Sequence, residues 1–99
     1  MNGLSIIIPT LNEAENIISL IREIESTIEK PQNFEIIVID DNSPDNTCET
    51  VKAYSLDENK SYIHAIKRTW NKGLSSALIE GSALARFDHI AVMDGDGQH

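Results

Sequence analysis

A single cysteine, Cys48, occurs among the 99 residues. One thiol excludes an internal disulfide and any cysteine-based zinc cluster, and it fits a reducing compartment. Basic residues are scarce: eight against sixteen acidic ones, for a formal net charge of −8. Such a surface repels phosphate backbones, which argues against nucleic acid as a partner. An anionic substrate would need help from a cation or from backbone N–H groups. The longest purely apolar runs, four residues each at 36–39 and 90–93, are far too short to span a bilayer. The N-terminus has neither a charged n-region nor a long h-region, so no signal peptide is read. Together these absences give the expectation of a soluble, cytoplasmic chain. Neither G-x-G-x-x-G nor G-x-x-x-x-G-K-[ST] is present, so neither a nicotinamide-dinucleotide site nor a P-loop is supported. Repeats, low-complexity tracts and linker-like shifts are missing too, which leaves one small domain, short for an α/β enzyme.

What is present alternates between two periods. Residues 4–8 read as a buried strand halted by Pro9. From Glu13 onward Ala14, Ile17, Ile18, Ile21, Ile24 and Ile28 fall on one helix face, ending at Pro31. Thr10 and Glu13 have capping-box spacing, which starts that helix at once. Residues 35–39 read as a second strand, followed by a turn in which Ser43 and Pro44 suit an N-cap and first helical position. A weaker helix through Thr47, Val51 and Tyr54 follows, then a strand at 61–66. A polar loop, 67–72, precedes a third helix marked by Leu74, Ala77, Leu78, Gly81, Leu84 and Ala85, whose small residues permit close approach to a sheet. Residues 89–93 read as a fourth strand. The order βαβαβαβ predicts an α/β, Rossmann-like, mainly parallel four-stranded sheet. Ligands of such sheets sit beyond the carboxyl ends of the strands. Those ends carry Pro9 to Asn12, Asp40 and Asp41, Arg68, and Asp94 to Asp96.

Asp94-Gly-Asp96 holds two carboxylates two residues apart on a tight turn, and Gln98 adds a neutral oxygen. Oxygen ligands in this arrangement suit Mg²⁺ while leaving positions for substrate phosphates. The tripeptide alone is also the sequence of an ordinary turn. Its placement after a buried strand, opposite Asp40-Asp41, points to the cation. An acid at the end of the second strand commonly accepts hydrogen bonds from a ribose or base; Asp41 or Asp45 can instead cap the following helix. Glu13 is read as a cap that can alternatively reach a nucleotide. Lys67, Arg68 and Lys72 form the one dense basic cluster, either approaching phosphates or simply solvated, with Trp70 beside them as lid or anchor. His64 and His89 read as structural.

Four stretches in register, "IIIPTLNEAENI", "IIVIDDNSPDNT", "NKGLSSALIEG" and "VMDGDGQH", resemble the nucleotide-sugar-binding half of family 2 glycosyltransferases of the GT-A fold. "DDNSPDNT" and "GLSSALIEG" look closest to the polyprenyl-phosphate (dolichyl-phosphate) mannosyltransferase branch. The resemblance covers essentially the whole chain. It implies that Pro9 and Glu13 border the nucleotide and that Asp40, with Asp41 beside it, meets the base. Asp94 and Asp96 match the family's Asp-x-Asp motif, which binds Mg²⁺ or Mn²⁺ and through it the donor diphosphate. Gln98 fits as a further metal ligand, and Arg68 as a donor contact. The implied reaction inverts the anomeric centre, transferring a sugar, GDP-mannose being the implied donor, to an acceptor such as a polyprenyl phosphate at a membrane surface. Leu11 departs from the aromatic residue often found in the first loop, and Asp-Gly-Asp-Gly from the commoner Asp-Ala-Asp-Leu. Nothing in the chain matches the family's acceptor-binding half or its base. The expectation is therefore a donor-binding N-terminal portion, residues 1–99, inactive when isolated. Two rivals come from other classes. One is a non-catalytic nucleotide- or metal-binding module that needs a partner chain. The other is an Asp-x-Asp phosphatase, disfavoured because Gln98 stands where that chemistry places Thr or Val.

Overall fold

Short runs rich in β-branched residues set the architecture. The computed structural model describes residues 2–28, 33–69 and 73–95. Strands β1 (Leu4–Thr10), β2 (Phe34–Asp40), β3 (Ile63–Lys67) and β4 (His89–Val92) alternate with helices α1 (Ile17–Thr27), α2 (Thr47–Asp57) and α3 (Leu74–Leu84). All pairings are parallel and the strands lie in the order β3-β2-β1-β4. The expected βαβαβαβ sheet is found.

Side chains alternate between the two faces of each strand. Ile6, Ile8, Ile36 and Val38 pack with Ile17, Leu20, Ile21, Ile24 and Val51 under α1 and α2. Ile7, Ile37 and Ile39 pack with Ala77 of α3 on the opposite face. Helices on both sides explain why β1 and β2 read as unbroken apolar runs. Gly81 lets α3 approach as the small residues predict: a Cβ there would stand 2.7 Å from Ile7 Cγ2.

Three local expectations are corrected. Pro9 does not halt β1, which continues through Thr10 in register with Asp40. Ile7 C=O accepts from Met93 N–H on the β4 side, so by alternation the ring nitrogen of Pro9 also faces β4. The β1–β4 ladder has already ended at Ile7 and Val92, so no bond is lost. Thr10 and Glu13 do not form a capping box: α1 begins at Ile17 with Asn16 at its N-cap and no side-chain cap bond. The Thr10 hydroxyl donates instead across the sheet to Asp40. Ser43 and Pro44 do not start α2, whose N-cap is Asn46 in the left-handed region; Ser43 is drawn to Asp40 as well. Pro31 lies outside the described residues.

Two polar clusters fasten the ends of the strands remote from the expected ligand edge. Glu35 of β2 is buried, yet accepts hydrogen bonds from Ser5 Oγ at 2.7 Å and Arg86 N–H at 2.6 Å. Phe87 N–H donates to Ser5 Oγ, so the α3–β4 connection is pinned to the sheet. Glu25 of α1 accepts from Tyr54 of α2 (2.8 Å), from Lys60 Nζ and from the Tyr62 hydroxyl. Burial raises the Glu25 carboxyl, but the Tyr62, Lys60 and Tyr54 hydrogen bonds and the Lys60 charge carry it net below its ordinary 4.5. Tyr62, buried and donating to Glu25, is pushed up to about 12. A carboxyl depressed in the folded state contributes stability above its unfolded value and loses it as pH falls through the folded one. Urea unfolding is therefore expected to show stability declining below about pH 4.5, with a shallower decline in Glu25→Gln. Equal slopes would remove Glu25 from the acid response.

Candidate functional site

The carboxyl ends of the strands open onto a groove of about 490 Å³ lined by Pro9, Thr10, Leu11, Asp41, Gly73, Leu74 and Asp94. Its walls come from three connections: β1–α1, β2–α2 and the start of α3, with the turn after β4 as the lip. Leu11 and Leu74, each 59% exposed, present apolar side chains at it.

The β1–α1 loop is held by the β2–α2 loop. Three successive N–H groups donate to side chains of that loop and of the first residue of α2: Asn12 to Ser43 Oγ at 2.8 Å, Glu13 to Thr47 Oγ1 at 3.0 Å, and Ala14 to Asp45 Oδ2 at 3.0 Å. Asn12, Asn42 and Asn46 adopt positive φ, a conformation asparagine tolerates better than most residues. Asp45 also accepts from the Thr47 hydroxyl and N–H. The Thr47 bond, and the Ala14 and Thr47 N–H groups behind it, hold the exposed Asp45 carboxyl below its ordinary value. The polar stretch after β2 is therefore a brace for the first loop.

Within that brace the two adjacent acids separate. Asp40 is 0% exposed, and its carboxylate accepts from Thr10 Oγ1 at 2.7 Å, Ser43 N–H at 3.0 Å and the Ser43 hydroxyl. The structure does not bring its side chain to the groove. Asp41 does line the groove. It accepts from Arg68 Nε at 2.7 Å through Oδ1 and from Gly73 N–H at 3.0 Å through Oδ2. Arg68 stands behind Asp41, its side chain 4% exposed, and faces no open groove. Lys67 turns away to Glu49 of α2 at 2.9 Å; the pairing raises the lysine and lowers the glutamate.

Asp94 sits exposed at the groove lip. Gly95 carries the turn against the first loop: a Cβ there would lie 2.8 Å from Thr10 Cγ2 and 3.0 Å from Glu13 Cγ. The glycine thus permits a close contact between this turn and Thr10 and Glu13. Asp96, Gln98 and His99 lie outside the described residues, as do Trp70 and Lys72. Among the described residues no group of three His, Cys, Asp or Glu gathers to hold a metal ion. The groove therefore joins Pro9, Asp41 and Asp94, and leaves Asp40 and Arg68 beneath its surface; Glu13 packs against Gly95 and is not among the lining residues. Leu11, Gly73 and Leu74 are walls that residue chemistry alone did not point to. Their signal lay in position: Leu11 follows a strand end, and Gly73 and Leu74 cap and open a helix on the same edge.

Residues 5–99 match the family model described as Glycosyl transferase family 2. The dolichol-phosphate mannosyltransferase of Pyrococcus furiosus is 45% identical over 95 residues, covering 96% of this chain and 26% of that protein. The dolichol-phosphate mannosyltransferase of Mycosarcoma maydis is 37% identical, covering 96% of this chain and 33% of the relative. The chain thus spans between about a quarter and a third of these relatives. Among solved structures, the mannosyltransferase PcManGT of Pyrobaculum calidifontis, in complex with GDP-Man and Mn²⁺, superposes with a TM-score of 0.85 at 24% identity, over 94% of this chain and 27% of that one.

Proposed function

Since the chain belongs to glycosyl transferase family 2, we propose that its groove binds the nucleotide sugar of a divalent-cation-dependent, inverting glycosyl transfer. The observation that carries this reading is the placement of Asp41 and Asp94 on one groove at the strand ends. Asp40 and Asp45, close by, are held in the brace. Asp41 offers a carboxylate acceptor to a base, and Leu11 and Leu74 offer apolar surface to its faces. The base contact assigned to Asp40 from sequence passes to Asp41, because Asp40 is enclosed.

Asp94, Asp96 and Gln98 would hold Mg²⁺ or Mn²⁺: two carboxylates and an amide oxygen are a hard donor set suited to either ion. The bound cation supplies neutralisation of the leaving diphosphate. A chain of net charge −8 has particular need of it. Asp94 positions the diphosphate end of the donor at the lip while Asp41 fixes the nucleoside end. An acceptor oxygen then attacks the anomeric carbon as the bond from that carbon to the diphosphate oxygen breaks, and the nucleoside diphosphate departs with the bonding pair. GDP-mannose is the proposed donor and a polyprenyl phosphate, already ionised, the proposed acceptor; the name of the relatives, dolichol-phosphate mannosyltransferase, supports the mannosyl group and the acceptor. Among the described residues no helix is long and apolar enough to cross a membrane.

Calorimetric titration of the chain with GDP, GDP-mannose and UDP, each with and without Mn²⁺, tests the reading. Binding that appears or tightens with Mn²⁺ is expected, without turnover by these residues alone. No binding of any nucleotide with the metal present would overturn the assignment of the groove.

A further inference from the structure

We propose that Arg68 is a positioning residue that sets the Asp41 carboxylate and the groove width together, and touches no part of the donor. The inference rests on the reading of the groove as a nucleotide site. Asp40 and Lys67 are register partners, so Asp41 and Arg68 emerge side by side from adjacent parallel strands. The ladder runs on past the strand ends: Asp41 N–H donates to Thr10 C=O at 3.1 Å and Arg68 N–H to Asp40 C=O at 2.8 Å. The pair is thereby fixed by backbone before any side chain acts.

The guanidinium then has no nitrogen left over. Nε donates to Asp41 Oδ1 at 2.7 Å, and Nη2 meets the same oxygen and donates to Gly73 C=O at 3.0 Å. Nη1 donates to Ser76 Oγ at 2.8 Å and lies 3.7 Å from Glu80. A donor phosphate would have to displace one of these partners from a side chain that is 4% exposed. Asp41, by contrast, keeps 17% of its side chain exposed. With Arg68 on Oδ1 and Gly73 N–H on Oδ2, the carboxylate is locked in one orientation, with acceptor capacity remaining towards the groove.

The same guanidinium holds the opposite wall. Gly73 has φ 138°, a conformation open to glycine and strained for other residues. Both its N–H and its C=O are engaged by the Asp41–Arg68 pair. Leu74 follows directly, so the planar fork of one arginine spaces the Asp41 side of the groove from the α3 side. Lysine carries the charge without that fork.

The test is a double-mutant cycle on nucleotide affinity, measured by calorimetry with GDP and UDP in the presence of Mg²⁺. Arg68→Lys is expected to weaken binding about tenfold in the wild-type background and less than about twofold in Asp41→Asn, because coupled residues are non-additive. Ser76→Ala, which removes one outer partner of the fork, is the milder variant should Arg68→Lys melt early. It is expected to weaken binding about threefold, again with the effect lost in Asp41→Asn. An equal loss from Arg68→Lys in both backgrounds would make Arg68 a direct donor contact and overturn the proposal, while leaving the groove reading intact. Failure of the wild-type chain to bind either nucleotide would overturn the groove reading, and this inference with it.

Discussion

Asp40→Ala is expected to cost about 3 kcal/mol of folding stability, within the range for removing one partner of a buried charged network. In a domain of this size that is a fall in melting temperature of more than about 10 °C. Asp40 is 0% exposed, and its removal orphans the Thr10 hydroxyl, the Ser43 N–H and the Ser43 hydroxyl. Ser43 Oγ also accepts from Asn12 N–H, so the defect reaches the first wall of the groove. Asn at this site keeps the volume but turns an NH₂ towards donors, so Asp40→Asn is expected to lose about 2 kcal/mol. Urea unfolding followed by circular dichroism measures both. A residue whose role is to meet the base gives a different signature: unchanged stability with lost nucleotide affinity. That result would reverse the assignment of Asp40 and Asp41.

The contrast between these two acids, Asp40 enclosed and Asp41 on the groove, shows what was legible in the sequence and what was not. Apolar periodicity fixed the number, type and order of the elements, because strands covered on both faces and helices covered on one leave a direct record in residue type. The edge that carries Asp41 and Asp94 followed from that order alone. The side to which each polar residue turns was also written in the alternation, though local spacing pointed elsewhere. Thr10 shares parity with Ile6 and Ile8, and Asp40 with Ile36 and Val38, so in register the two face one another on the α1 side. A threonine three residues before a glutamate looks like a helix cap, but its hydroxyl found a buried carboxylate 30 residues away. Local side-chain bonds compete with distant ones, and only the strand register decides between them. Ser5 and Glu35 repeat the case on the other face, their link fixed by the same register. The burial of the arginine was hidden for a related reason. Its cluster with lysines suggests an exposed basic loop, whereas Arg68 is itself buried against the half-buried Asp41 and Lys67 pairs with Glu49.

Asp94→Asn is expected to weaken the binding of GDP with Mn²⁺ about a hundredfold while leaving stability within about 0.5 kcal/mol, since exposed side chains free of such networks contribute little to folding. The side chain stands at the lip beside Gly95, whose close approach to Thr10 and Glu13 sets its position. The decisive feature is a change of sign. Without metal, Asp94 adds negative charge beside an anionic ligand on a chain already at −8, so Asp94→Asn is expected to bind GDP slightly better than wild type. With metal, the same carboxylate holds the cation that neutralises the diphosphate, and its loss is the larger effect. A purely structural role for Asp94 moves both measurements in one direction, and a base contact there does the same. Asp41→Asn supplies the contrast, weakening GDP with and without the cation alike. Paramagnetic broadening by Mn²⁺ gives an independent readout: in the wild type it is expected at the amide signals of Gly95, Leu11 and Thr10, and it is expected to vanish in Asp94→Asn. If Asp94→Asn bound GDP and Mn²⁺ as the wild type does, the cation would have to be held elsewhere on the edge, and the link between the turn after β4 and the diphosphate would fail.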